Sequence, residues 1–440
     1  MIAIGQSLIF LAAGLRNYRY AILLFLLFAP FAPRALGYIP TGAEVSLTFP
    51  RIGLPLLIVL FLLSVVTSKR KLPLSARDFM AEPIAIVLLV LGLHKIFASY
   101  WNGAPLFYAF ESLMFTFGAV GLFYLSASPR MLRTALLAMA AAVLVILVIM
   151  PFELALQRPL YYFFADPAVL RIDRLELRTM GRGYRAHGFF DNSLSLAEFM
   201  LYCIPPALYF AVMTKGVRRN ASWLLVAACF GIGFLTGSRG FLLFGALTIA
   251  AFFTFFKWDR LSIGLKAILI VVSVPVALLS VLGVGYVVED LIHQASGLRF
   301  DIIGEARDRS LFGRALQFEE VLNTVLQQPL TGYGVLQNFS SSLDNVRRLD
   351  NFYLRSLLES GIPGFTLFIL SMVLLFRRLF GKRAGFRDRS GRAFVALGGS
   401  LIIAFAGAKV FLSMPAGNFV FYALMGLLLG VRTQIERDAR

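Results

Sequence analysis

Apolar residues in this chain run in continuous stretches, without strand-like alternation, and charged residues break them at intervals. Inside a bilayer the backbone can be satisfied only within helices or a closed barrel, and barrel strands would alternate lipid-facing and lumen-facing positions. Continuous runs therefore predict helices. They lie near 20–33, 52–67, 82–98, 106–126, 132–152, 194–213, 222–237, 241–256, 267–288, 352–376, 393–411 and 415–431, which gives about twelve spans and an all-α polytopic membrane fold. At 1.5 Å per residue the stretch 222–256 is too long for one ordinary span, and Gly237-Ser238-Arg239-Gly240 divides it. The opening stretch, Met1 to Ala13, has its charges (Arg16, Arg19) after the apolar segment, which reads as an uncleaved interfacial or helix-leading segment. The chain then divides into N-terminal spans (1–152), a first outer loop (153–193), central spans (194–288), a large outer loop (289–351), and C-terminal spans with a tail (352–440).

Composition agrees with that pattern: of 440 residues, 59% are hydrophobic and 15% charged, with a mean hydropathy of +0.78. A net charge of +18 could suggest nucleic acid, but a polytopic protein gathers Lys and Arg to orient itself. Splitting the chain at Gly237–Gly240 places 24 basic residues on one side, mostly in short loops, so that side and both termini are expected in the cytoplasm. The other side carries 15, all arginine. Arginine's planar fork binds phosphate or carboxylate in a bidentate way that a lysine cannot. Cys203 and Cys229 both fall inside apolar runs, where no disulfide is expected.

The two large outer loops are the long stretches of mixed polar character, the usual setting for function. Within the second, Arg314 to Gln327 places Phe318, Val321, Leu322, Val325 and Leu326 on one face of a helix lying along the membrane surface, which ends at Pro329 and Gly332-Tyr333-Gly334. Arg239 stands in a short turn on the side where charge bias disfavours it, either meeting lipid headgroups or forming an anion site reached past its flanking glycines. Arg314 opens the loop helix against the macrodipole preference, either facing an anion or paired with Glu319 or Glu320. Arg185, just before a span, is either a similar group or interfacial. Asp350 is either the N-cap of the following helix or a base toward a hydroxyl at the membrane surface. Arg355 and Glu359, four apart, should pair. Lys95 and Lys409 lie near span ends, as functional groups or snorkelling outward. His94, His187 and His293 are isolated, and Walker, GxGxxG and GxSxG motifs are lacking, so neither a metal nor a cofactor is called for.

Three groups of residues together resemble a known family: Thr236-Gly237-Ser238-Arg239-Gly240; Gly313-Arg314 followed by Gln328-Pro329-Leu330-Thr331-Gly332-Tyr333-Gly334; and Asp350-Asn351-Phe352-Tyr353-Leu354 with Leu358-Glu359-Ser360-Gly361-Ile362-Pro363-Gly364. The run from about Arg185 to Gly364 resembles the bacterial O-antigen ligases and Wzy-type polysaccharide polymerases. The resemblance implies a glycosyltransferase at the periplasmic face of the inner membrane, acting on glycans linked through pyrophosphate to undecaprenol. It implies Arg239 and Arg314 as the groups that hold the pyrophosphate and stabilise its departure, and Asp350 as the group that positions or deprotonates the acceptor hydroxyl. Arg185, Asn351 and Tyr333 would support substrate binding. Ligases are expected to have His-Asn where this chain has Asp-Asn, which favours a polymerase of repeat units for surface or exopolysaccharide. Expected partners are the lipid-linked glycan, membrane lipid, a flippase and a chain-length regulator, with no nucleic acid.

Two other readings differ in what they predict. A ligase would move finished glycan onto a lipid A-core acceptor, so its loss would strand full-length polymer on the carrier. A secondary transporter would carry ionisable groups near the midplane, whereas here they crowd into outer loops and span ends, which ranks it lower.

Overall fold

A computed structural model describes residues 2–28, 49–68, 74–159, 162, 184–190, 192–257, 317–335, 349, 351–381, 388–411 and 418–438. These residues form helices without strands. In chain order they are α1 (Ile2–Arg16), α2 (Tyr18–Phe28), α3 (Phe49–Ser68), α4 (Ala76–Met80), α5 (Pro83–Trp101), α6 (Leu106–Leu125) and α7 (Pro129–Leu156). There follow α8 (Ser193–Met213), α9 (Gly216–Leu235), α10 (Arg239–Phe256), α11 (317–327), α12 (Phe352–Phe380), α13 (Arg389–Phe411) and α14 (Asn418–Asp438).

Among the described residues, eight helices are long and apolar enough to cross a membrane: α3, α5, α6, α7, α8, α12, α13 and α14. Two shorter apolar helices lie at Tyr18–Phe28 and Gly240–Phe256. The protein is an all-α, multi-pass membrane protein. Every predicted span except 267–288, which lies outside the described residues, overlaps a helix. The division of 222–256 falls where expected, with α9 ending at Leu235 and α10 opening at Arg239. The opening segment leads into the bundle: α1 ends at Arg16, the chain turns at Asn17 into α2, and Phe10 is buried against Phe25 and Phe49.

The centre consists of α8, α13 and α14, whose membrane windows are 78%, 83% and 83% buried, against 39–44% for the other five spans. Helices in lipid associate through close packing, for which small residues make room. Gly407 of α13 receives the Phe244 ring of α10, and Gly399 receives Phe255. Cys203 and Cys229 are buried in α8 and α9.

One end of the bundle is closed by ion pairs. Arg378 of α12 bonds Glu82 at 2.9 Å and Glu436 at 2.8 Å, Arg432 adds a second bond to Glu436 at 2.8 Å, and Arg437 meets Asp78. Asp78 also closes a capping box with Ser75, whose backbone and side-chain hydrogen bonds hold its carboxyl below the usual carboxylate range. The loop segments described below all gather at the opposite end.

At that opposite end α12 is broken. Gly361 adopts φ 62° and ψ −169°, outside the helical region, and Pro363 has no N–H to give. The carbonyls of Leu358, Glu359 and Ser360 thus lose their usual partners. Three groups replace them: Tyr333 N–H donates to Leu358 O at 2.9 Å, Gly334 N–H to Glu359 O at 2.9 Å, and His94 Nε2 of α5 to Ser360 O at 2.8 Å. In return Ile362 N–H donates to Pro329 O at 2.8 Å. The segment 328–334 is therefore stitched into the helix break, and α5 holds its other side through Asn102 Nδ2 to Gly332 O at 2.9 Å and Val335 N–H to Ser99 Oγ at 2.9 Å.

Backbones approach too closely here for any side chain. A Cβ on Gly332 would lie 2.5 Å from Gly361 N and 2.6 Å from Leu358 O, at a φ of +63°. Gly103 has a similar φ of +64° but nothing within 4 Å. Gly103→Ala should therefore cost only the left-handed penalty of about 1–2 kcal/mol, while Gly332→Ala adds overpacking for roughly 3 kcal/mol in all. Thermal unfolding of the purified variants in detergent checks this; equal losses would mean that the break is not held as described.

Candidate functional site

The loop after α7 returns to the bundle through residues 184–190, and one carboxylate fixes that return. Glu153, near the end of α7 and fully buried, accepts from Tyr184 Oη at 2.6 Å, His187 N–H at 2.6 Å and Gly188 N–H at 2.8 Å. Asn192 then caps α8, accepting from Ser195 N–H at 2.8 Å. Between these anchors Ala186 N–H donates to Leu235 O at 3.0 Å, which lays the strand-like segment across the end of α9. Arg185 is thereby placed on the Gly237 turn. A Cβ on Gly237 would sit 3.2 Å from Arg185 Nε and 3.4 Å from its Cγ, and Gly237 has a φ of +65° that only glycine adopts at low cost. The next residue, Ser238, caps α10 through Phe241 N–H at 3.2 Å, and Arg239 is the first residue of that helix.

Arg185 and the backbone of Arg239 thus share one turn, although they are far apart in sequence. The Arg239 side chain lies outside the described residues, as do Arg314 and Asp350 entirely. The nearest described part of their loop is α11, which seats Val321 and Val325 against Leu349, Leu354 and Leu358 at the head of α12. Of the apolar residues predicted on one face of this helix, Phe318, Val321 and Val325 pack on α12, while Leu322 and Leu326 are 37% and 68% exposed. Tyr333 donates its hydroxyl to Thr324 O and to Gln327 Oε1, both at 3.2 Å, and partial burial pushes its phenol up from its ordinary value, so it remains a donor.

The cap of α12 is not Asp350. Asn351 is the cap, accepting from Tyr353 N–H at 2.8 Å and Leu354 N–H at 3.3 Å. An amide oxygen thus does the work assigned by default to Asp350, and the helix begins with Phe352. Arg355 pairs with Glu359 at 2.7 Å, as expected.

Beneath the mouth lies an ion pair that sequence reasoning missed. Lys409 Nζ of α13 meets Glu198 Oε1 of α8 at 2.5 Å, and both side chains are enclosed, at 0% and 1% exposure. Lys409 therefore does not snorkel, and it lies 5.2 Å from the Phe352 ring centroid and 5.5 Å from that of Phe405. Tyr202 donates to the same Glu198 oxygen at 2.6 Å, and Tyr353 Oη donates to Ala406 O at 2.9 Å, tying the first turn of α12 to α13. The available signal was Glu198 itself, a carboxylate inside an apolar run, where ionisable groups are functional candidates by default.

The heads of α8, α10 and α12 and the tail of α13 therefore meet at one end, where three helix N-termini add positive potential to the arginines. Such an end suits an anion held beside a hydroxyl-bearing acceptor. The stretch that builds the Gly237 turn, the segment 328–334 and the broken head of α12 is also a recognised unit. Residues 224–369 match the family model described as O-antigen ligase. This stretch is similar to the O-antigen ligase family. The match covers roughly a third of the chain, from within α9 to the middle of α12. It includes Arg239, Arg314, Tyr333, Asp350 and Asn351, while Arg185, Glu198 and Lys409 lie outside it. A comparison with curated proteins finds no match. The match supports a membrane function of the ligase or polymerase type.

The Glu153 anchor can be tested directly. Glu153→Ala leaves the buried His187 and Gly188 amides without their acceptor, at roughly 1–3 kcal/mol each, and releases the segment that carries Arg185. Loss of both thermal stability and glycan product is expected. Wild-type stability would show that water or another group replaces the carboxylate.

Proposed function

We propose that the protein is a polymerase that joins lipid-linked oligosaccharide repeat units into a surface or secreted polysaccharide, working at the outer face of the inner membrane. The observation that carries the reading is the packing of Arg185 over Gly237, which brings a second arginine onto the turn that opens α10 with Arg239. Arg239 and Arg314 bind the pyrophosphate of an undecaprenyl-linked donor, with Arg185 supporting them. An acceptor sugar hydroxyl attacks the anomeric carbon, a new glycosidic C–O bond forms, and the bond to the pyrophosphate breaks. The carrier leaves as its pyrophosphate with the charge met by the guanidinium groups, while Asp350 positions the hydroxyl and takes its proton.

The capping of α12 by Asn351 supports this role, since it leaves the Asp350 carboxylate unneeded as a cap. A carboxylate bonded into a helix N-terminus would be a weaker base. Asp350-Asn351, where a ligase is expected to have His-Asn, favours polymerisation over ligation. Tyr333 takes part through the loop helix it braces, and Asn351 through the helix head it fixes. A chain-length regulator and a flippase are the partners this activity would need.

Transfer to a lipid A-core acceptor is the second reading, favoured by the ligase description of the matched family. A deletion strain complemented with Arg239→Ala, Arg314→Ala or Asp350→Ala separates the two. Each variant should lower long polymer by roughly 100-fold or more while single repeat units persist. Full-length polymer stranded on its carrier would identify a ligase, and undiminished surface polymer would defeat both readings.

A further inference from the structure

Among the described residues, three cations on the helices at the site end of the bundle are matched with carboxylates. Arg51 of α3 binds Glu111 of α6 through two bonds, at 2.6 and 2.9 Å. Arg355 has Glu359 at 2.7 Å, and Lys409 has Glu198 at 2.5 Å. Glu153 is taken by a phenol and two amides. Lys95 of α5 is left over. Its side chain is buried at 8% exposure, and among the described residues its one hydrogen bond is a long one, 3.4 Å, to the neutral Ser112 Oγ.

Lys95 stands in a charged neighbourhood that already has its carboxylates committed. Glu359, within electrostatic reach of Lys95, is held by Arg355, and Arg355 lies within reach of both Lys95 and Lys409. Lys95, Arg355 and Lys409 together face Glu359 and Glu198, so one positive charge exceeds the local balance. An uncompensated charge in this setting is costly and marks a functional site by default. A second polar group nearby points the same way. The stripe Ser356, Ser360 and Gly364 of α12 faces α5, where Ser360 O and the position of Gly364 meet His94. Ser356 is 1% exposed, and its Oγ has no hydrogen-bond partner among the described residues.

We propose that Lys95, with Ser356 on the face of α12 that meets α5, binds a phosphoryl oxygen at the outer margin of the bundle. The inference rests on the proposed use of a lipid-linked diphosphate donor and makes Lys95 a substrate-binding residue on the helix that packs against the broken head of α12. Lys95 sits about 9 Å below the end of α5, from 1.5 Å per residue, a depth at which the first phosphate of a membrane-anchored donor can reach it.

The test uses the full chain purified in detergent, with inorganic pyrophosphate as the probe in calorimetric titrations. The wild type should bind it. Lys95→Met should bind about tenfold or more weakly, the loss of one charge-assisted hydrogen bond, and Lys95→Arg should recover part of the affinity. Without ligand, Lys95→Met should unfold at the same temperature as the wild type or higher, because replacing a buried unpaired charge with an apolar isostere relieves desolvation. Equal binding by wild type and Lys95→Met, no binding by the wild type, or a lowered unfolding temperature for Lys95→Met would each overturn the assignment. Repeating the titration in nanodiscs of phosphatidylcholine and of phosphatidylglycerol separates the phosphate sources. Weakening of wild-type binding by phosphatidylglycerol alone assigns the site to an anionic headgroup, and equal binding in both lipids assigns it to the donor. In the complemented strain, wild-type glycan from Lys95→Met would remove Lys95 while leaving the polymerase reading intact. That reading fails separately, if deletion of the gene leaves the glycan unchanged.

Discussion

The break in α12 at Gly361 is the constraint on which the rest of the site depends. In a bilayer a carbonyl released from a helix has no water to turn to, so each of the three freed at Leu358, Glu359 and Ser360 must find a protein donor. Two of the donors come from the segment 328–334 and one from His94 of α5. The break therefore recruits the segment 328–334 and a neighbouring span at once. With those in place α11 has a seat on Leu354 and Leu358, and the head of α12 is set for Asn351 to cap it. A straight helix would satisfy its own carbonyls and would hold neither the loop nor α5.

This arrangement gives physical content to the motifs. Gln328-Pro329-Leu330-Thr331-Gly332-Tyr333-Gly334 and Leu358-Glu359-Ser360-Gly361-Ile362-Pro363-Gly364 are the two halves of one interlock: Pro363 withholds an N–H, and Gly332 and Gly361 let the backbones approach. The helices themselves were legible in the sequence because apolar runs of span length leave few alternatives in lipid. The turn at Gly237 was legible for the same reason, since a run from 222 to 256 exceeds what one span needs. The approach of Arg185 to Gly237 was not, because nothing local to either residue encodes a contact across fifty intervening positions; it follows from Glu153, whose three bonds turn the chain back. Of the two roles open to Asp350, the cap falls to Asn351, because Asp and Asn are equally good caps and only the geometry of the helix start chooses between them.

Lys409 shows how a correct flag can lead to an incorrect expectation. Near a span end, a lysine in isolation lowers its cost by reaching outward to the interface. Lys409 has an alternative on the facing helix, since Glu198 and two aromatic rings offer its ammonium an enclosed seat. The cost of burying both charges is offset only by close geometry, and such pairs more often fix an arrangement than add net stability. Here the arrangement fixed is the contact of α8, α13 and the Phe352 head of α12, directly below the Asn351 cap.

The two ends of the bundle use charge in different ways. At the end closed by Arg378, three arginines face three carboxylates, and the bonds are shared so that α4, α5, α12 and α14 are held together. A balanced network of this kind needs no ligand. At the other end, among the described residues, Glu111, Glu153, Glu198 and Glu359 are already committed, and Lys95 and the helix starts bring further positive potential to a region built from loop returns and helix heads. A protein that needed only to hold its helices together could have closed both ends alike. Keeping one end cationic carries a desolvation cost, which an anion bound there would offset; an anion tethered to the membrane by a lipid reaches that depth without leaving the bilayer.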